Sequence, residues 1–212
     1  YYAKERGRNT YQVYNDAMDA KARLRANMAN QLHKALERDE LSLVFQPKLS
    51  LADQRITGAE ALLRWNNPTL GPISPTEFIP VAEETGLIVP IGEWVIQQAC
   101  LQLRRWTEAG LTTPTIAVNV SALQLFRGEL ARRLREILDE MRVPAHRLEL
   151  ELTESMLMAN PEQSIATLTQ IKALGVRLAI DDFGTGYSSL AYLKRLPIDT
   201  LKIDKAFVAD LT

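Results

Sequence analysis

The chain is poor in the residues that build soft-metal and redox sites. It has one cysteine, Cys100, which excludes an internal disulfide framework and fits a reducing cytoplasm. In its helical, apolar surroundings Cys100 reads as a small buried side chain rather than a nucleophile. Histidine is almost as scarce. Only His33 and His146 occur, both in polar helix or loop sequence, so zinc sites built on paired histidines are excluded and both rings are expected to be structural or solvated. Any metal must therefore be held by oxygen. An excess of charge of one sign is lacking too: the formal net charge is -1, so no broad basic surface marks a nucleic-acid duplex or an anionic membrane as partner. Phosphate recognition must be local. No apolar run reaches the roughly 18 residues that span a bilayer, and the opening Tyr1-Tyr2-Ala3-Lys4-Glu5-Arg6 is not a signal peptide. No membrane contact is expected from this segment itself, with an upstream anchor left open.

What is present suits one real core with an appendage: 46% of residues are hydrophobic and 24% charged. Between Asn15 and Glu40, Ala17, Leu24, Met28, Leu32 and Leu36 fall at roughly helical spacing in a charged, alanine-rich context, which predicts a connecting helix. From Leu41 the pattern changes to strand-like apolar runs alternating with longer amphipathic stretches, the rhythm of a parallel sheet or barrel. Strands are predicted at Leu43–Gln46, Ile56–Trp65, Thr115–Ser121, Leu148–Thr153, Val176–Asp182 and Thr200–Asp204. Helices are predicted at Pro75–Thr85, Ile91–Ala109, Gln124–Met141, Pro161–Leu174 and Ser188–Leu196. Gly110 and Gly175 stand where helix C-caps belong, and Pro75 and Pro161 where first-turn prolines belong.

Side-chain parity supplies the functional signal, because residues two apart on a strand share a face. Glu60, Leu62 and Arg64 then point one way and Ala61, Leu63 and Trp65 the other. The same rule groups Asn119 with Ser121, Glu149 with Glu151 and Thr153, Ala179 with Asp181, and Lys202 with Asp204. Buried strands of α/β proteins are usually apolar on both faces, so recurring ionisable groups on one face need partners. A shared site at one end of a barrel supplies them.

Glu60, Asn119, Glu151 and Asp181, from four strands, suit a hard divalent ion such as Mg2+ or Mn2+. Asp182 is placed to help hold a second ion, about 4 Å from the first, and Lys202 to position a nucleophilic water or neutralise developing phosphate charge. Any one of these residues alone is better explained by a salt bridge or a cap. Matching parity on successive strands favours a site. Gly184-Thr185-Gly186 lacks the lysine of a P-loop and the third glycine of a dinucleotide fingerprint, and is a loop hinge by default.

Several strings have family character: Phe45-Gln46-Pro47, Glu60-Ala61-Leu62 inside a run ending at Trp65, Ile73-Ser74-Pro75, Ala82-Glu83-Glu84-Thr85-Gly86-Leu87-Ile88, and Val118-Asn119-Val120-Ser121. They continue with Glu149-Leu150-Glu151-Leu152-Thr153-Glu154-Ser155, Asp181-Asp182-Phe183-Gly184-Thr185-Gly186-Tyr187 and Leu201-Lys202-Ile203-Asp204. In this order they resemble the EAL family of cyclic di-GMP phosphodiesterases, from about Leu41 to the end.

The resemblance implies an α/β fold: a TIM-like (β/α) barrel whose first strand runs against the others, incomplete at the C-terminus because two further strands are expected beyond Thr212. It implies metal ligation by Glu60, Asn119, Glu151 and Asp181, a second Mg2+ or Mn2+ served by Asp182, and a catalytic role for Lys202 at the attacking water. Gln46, Leu62 and Arg64 match substrate-binding positions, the Arg64 guanidinium being suited to a phosphate. Asp204, sharing the face of Lys202, is assigned to the substrate side. Glu154 matches a glutamate that holds the loop after Asp182 in a competent conformation. The implied reaction opens one phosphodiester of cyclic di-GMP to give linear pGpG. Leu123 stands where the family often has arginine.

Residues 1–14 resemble the closing part of a GGDEF diguanylate cyclase domain, 15–40 the linker helix of tandem GGDEF–EAL proteins, and 41–212 an EAL domain. No GGDEF active-site sequence is present, so a cyclase is excluded. The implied partners are cyclic di-GMP, a second copy bound through the EAL domain, and upstream GGDEF and sensory domains, in a bacterial cytoplasm. A non-catalytic cyclic di-GMP receptor is the alternative, and degenerate metal ligands would favour it. None is seen. An assembly module without a ligand is a third reading.

Overall fold

The computed structural model describes residues 16–111, 114–127, 129–184 and 190–209. Residues 1–14, expected as the remnant of a preceding domain, lie outside the described residues, as does Ser188, expected to start a helix. Helix α1 spans Asp16–Ala35 and leads into β1 (Leu41–Leu49), β2 (Ile56–Asn67) and a short β3 (Gly71–Ile73). Helices α2 (Pro75–Thr85) and α3 (Ile88–Glu108) cross over to β4 (Thr115–Asn119). After it come α4 (Ala122–Phe126), α5 (Leu130–Met141) and β5 (Leu148–Thr153). The chain continues with α6 (Glu154–Ala159), α7 (Pro161–Ala173), β6 (Arg177–Phe183), α8 (Leu190–Leu193) and β7 (Thr200–Ile203).

The strands form one sheet in the order β1-β2-β4-β5-β6-β7, with β3 paired to β2. β1 is antiparallel to β2, and β2, β4, β5, β6 and β7 are mutually parallel. This is an incomplete TIM-like barrel with a reversed first strand: among the described residues β1 and β7 are its two edges.

Alternation builds the two faces. Ile116, Val118, Leu148, Leu150, Leu152, Leu178 and Ile180 point outward and are buried in the core against the helices. Between them the opposite parity carries Ala117, Asn119, Glu149, Glu151, Ala179 and Asp181 to the barrel interior. Trp65 and Phe78 meet edge-on at 5.6 Å, seating α2 against β2. No helix among the described residues is long and apolar enough to cross a membrane.

Several boundaries differ from the sequence expectation, each for a local reason. The first strand runs through Pro47 to Leu49, which an edge strand tolerates because its outward N–H groups need no partner. The single helix expected over Gln124–Met141 is two helices. Ser121 leaves the preceding strand, accepts from Gln124 N at 3.3 Å and starts α4, so it does not extend the face of Asn119. Likewise β7 ends at Ile203, and Asp204 caps the next turn by accepting from Ala206 N at 2.7 Å. Helix α6 was not foreseen; Thr153 caps it through Met156 N.

Candidate active site

Cross-strand register fixes who meets whom. Gln46 pairs with Glu60, Val44 with Leu62 and Ser42 with Arg64, so these side chains share the interior face of the β1–β2 hairpin. Asn119 lies beside Glu151, and Thr153 beside Asp181. The β6–β7 register shifts between Ile180 and Phe183, and Asp182 adopts a left-handed backbone with φ of 51°. Such a bulge re-aims side chains; here it affects Asp181 and Asp182 together.

The interior side chains converge. Glu60, Glu151 and Asp181 each offer a carboxylate oxygen within 4.8 Å of the others. Lys202 Nζ donates to all three, at 3.1 Å to Glu60 Oε2, 2.6 Å to Glu151 Oε2 and 3.0 Å to Asp181 Oδ2. Asn119 Nδ2 donates to Glu60 Oε1 at 2.8 Å, which brings the Asn119 amide to the edge of the trio. On the other side of Glu151, Lys48 Nζ donates to Glu151 Oε1 at 2.7 Å and Glu149 Oε1 at 2.8 Å. A cavity of about 400 Å³ lies along this face, lined in part by Gln46, Lys48, Glu60, Glu149 and Lys202.

The electrostatics follow from burial and pairing. Glu151 has a side-chain exposure of 0%, and burial pushes its carboxyl above the ordinary value while Lys202 and Lys48 oppose that rise. Burial works to lower the Lys202 ammonium, but its bonds to Glu151 and Asp181 win and hold it well above the usual lysine value. Lys48 is raised in the same way by Glu149 and Glu151 against its own desolvation. The Asp182 carboxyl is raised by desolvation and then by its acidic neighbours Asp181 and Asp204. Four carboxylates, those of Glu60, Glu149, Glu151 and Asp181, thus share the two ammonium groups of Lys48 and Lys202. That surplus of negative oxygen, beside the Asn119 amide, fits a divalent cation.

The structure therefore brings Glu60, Asn119, Glu151, Asp181 and Lys202 together. Asp182 and Asp204 face each other at the end of the same strands. Glu154, buried at the start of α6, accepts from Gly184 N at 2.8 Å and so reaches the turn after Asp182. Residues 185–189 lie outside the described residues. Arg64 stands apart from the acidic cluster, its Nη1 donating to the Leu63 carbonyl at 2.9 Å. Sequence reasoning missed Lys48. Its signal was the parity two residues beyond Gln46, hidden by ending the strand before Pro47.

Comparisons with known proteins agree with this geometry. The EAL domain family model matches residues 29–212. The bifunctional diguanylate cyclase/cyclic di-GMP phosphodiesterase MucR of Pseudomonas aeruginosa is 46% identical over 211 residues, covering 100% of this chain and 31% of its own length. The cyclic di-GMP phosphodiesterase PdeR of Escherichia coli is 40% identical over 211 residues, covering 100% of this chain and 32% of its own. A solved structure of the PaMucR phosphodiesterase in complex with c-di-GMP superposes with a TM-score of 0.84 at 48% identity, covering 87% of this chain and 75% of that one. The chain thus spans about a third of the length of these curated relatives. On its sequence, its fold and these matches, the chain belongs to the EAL domain family.

Proposed function

We propose that the chain is the catalytic part of a metal-dependent phosphodiesterase that opens one phosphodiester of cyclic di-GMP and releases linear pGpG. The observation that carries this reading is the convergence of Glu60, Glu151 and Asp181 on Lys202 in a member of this family.

Glu60, Glu151 and Asp181 would hold Mg2+ or Mn2+ through carboxylate oxygens and Asn119 through its carbonyl, a hard donor set. Asp182, beside Asp181, is assigned to a second ion. Bound there, the ions supply polarisation of a phosphoryl oxygen and a lowered pKa for a water. The chain's own groups do the rest. Lys202 offers its ammonium to the attacking water and to charge developing on the phosphate. Arg64, on the same interior face as Glu60, gives a planar guanidinium for a phosphate of the substrate. Gln46 and Leu62 line that face, and Asp204 borders it beside Asp182. Glu154 holds the turn that follows Asp182.

The test is turnover of cyclic di-GMP to pGpG by the full protein with Mg2+ or Mn2+, beside a Glu60→Ala variant. Metal-dependent turnover that Glu60→Ala abolishes is expected. Cyclic di-GMP binding without turnover by the unaltered protein would sink the enzyme reading and leave a receptor.

A further inference from the structure

Glu151 is the most enclosed member of the acidic cluster, and its two oxygens are divided between two lysines. Oε2 accepts from Lys202, the same ammonium that Glu60 and Asp181 accept from. Oε1 accepts from the second lysine, Lys48, at 2.7 Å. Lys48 comes from β1, which runs antiparallel to β2, and pairs in register with Gly58. The terminal torsion of a glutamate is broad and roughly two-fold, so packing alone does not fix the plane of its carboxylate. A directional, charge-assisted bond on one oxygen does fix it.

We propose that Lys48 is a positioning residue of the metal centre. By holding Glu151 Oε1 it sets the carboxylate plane, so that Oε2 is presented toward Glu60 and Asp181 as a single-oxygen ligand. This rests on the metal reading given above. The competing account makes Lys48 merely the counter-ion of Glu149, to which it donates at 2.8 Å. Glu149 has a further neighbour, Thr200 Oγ1 at 3.4 Å, and its side chain is not in the trio that offers oxygens to one point. The two accounts assign different consequences to the two acids.

The experiment is calorimetric titration of the full chain with Mn2+ alone, for the unaltered protein, Lys48→Met, Lys48→Arg and Glu149→Gln, each first checked by thermal melting. Lys48→Met is expected to weaken Mn2+ binding roughly 10- to 100-fold, the usual cost of losing a partner that orients a ligand. Lys48→Arg, which keeps a charged donor, should recover part of that loss, and Glu149→Gln should bind close to the unaltered chain. If Lys48→Met fails to fold, Lys48→Gln, which keeps a donor without the charge, carries the same comparison. Unchanged affinity in the Lys48 variants, or a loss in Glu149→Gln as large as theirs, overturns the proposal while leaving the metal reading intact. An unaltered chain that takes up no Mn2+ overturns both.

Discussion

The backbone N–H of Gly184 donates to Oε2 of Glu154 at 2.8 Å, tying the first turn of α6 to the turn that follows Asp182. Glu154 is buried at 2% exposure and Gly184 sits at a φ of 99°, a conformation costly for other residues. Glu154→Ala is expected to release the turn and lower kcat for cyclic di-GMP roughly 10- to 100-fold, since a hydrogen bond to a charged group contributes about 1.5–3 kcal/mol. Glu154→Gln keeps an acceptor oxygen and should lose less. Because neither variant touches Glu60, Glu151 or Asp181, Mn2+ affinity should hold. A parallel loss of metal binding would contradict a role confined to the turn.

Lys202 makes three bonds to the carboxylates of Glu60, Glu151 and Asp181. Lys202→Met keeps the stem and removes the donor. Loss of one such donor at a site of developing charge typically costs about 10²–10³ in kcat. Steady-state kinetics should show that fall with a much smaller change in KM. Removal of metal with a chelator should abolish turnover in both proteins, and Mg2+ or Mn2+ should restore it in the unaltered one.

A third prediction comes from the seam between β2 and β4. A Cβ at Gly58 would lie 2.5 Å from the Thr115 carbonyl oxygen, a backbone atom with little freedom to move. Gly58→Ala must therefore push the two strands apart near the bond between Asn119 Nδ2 and Glu60 Oε1, which joins the same strands. The expected outcome is a loss of about 1–3 kcal/mol in stability, read by thermal melting, together with weaker Mn2+ binding. Unchanged melting would refute the close approach.

Much of this arrangement was legible in the chain because its chemistry rides on strand parity. Glu60, Asn119, Glu151 and Asp181 each alternate with outward aliphatics, so their common face follows from a period of two once the strands are placed. What was not legible depends on tertiary context. Pro47 reads as a strand stop in isolation and is tolerated only because β1 is an edge, which concealed Lys48. Ser121 and Thr153 suit strand sequence and helix caps equally, and only the neighbouring N–H groups decide. The left-handed backbone of Asp182 leaves no mark in a residue type common in turns.

At the C-terminal end of β2, Glu40 joins the segment after α1 to that strand. Its Oε2 accepts from Trp65 Nε1 at 3.0 Å and Asn67 Nδ2 at 2.9 Å, all of them buried. Glu40→Ala orphans both donors, at a cost of about 1–3 kcal/mol for each. Glu40→Gln keeps an oxygen for both and should lose far less. Urea unfolding of the two variants separates the outcomes, and equal losses would show that the hydrogen bonds are not what holds this junction.

Cys100 offers a test of the core itself. It is fully buried on α3, and burial pushes its thiol up to about 12. At pH 8 the thiolate fraction in the folded chain is then on the order of one in 10⁴, against roughly a quarter in the unfolded chain, whose thiol titrates near 8.5. The thiol should resist an aromatic disulfide reagent in the native protein and react promptly in denaturant. The sign of the linked pH effect follows from the same shift. The folded state keeps its proton longer than the unfolded one, so the contribution of Cys100 to stability is full below about pH 8.5 and erodes as pH rises from there toward 12. Cys100→Ala removes the ionisable group, so its unfolding midpoint should fall less steeply over that alkaline range. Identical slopes would mean that the native thiol is not held in its protonated form by the core.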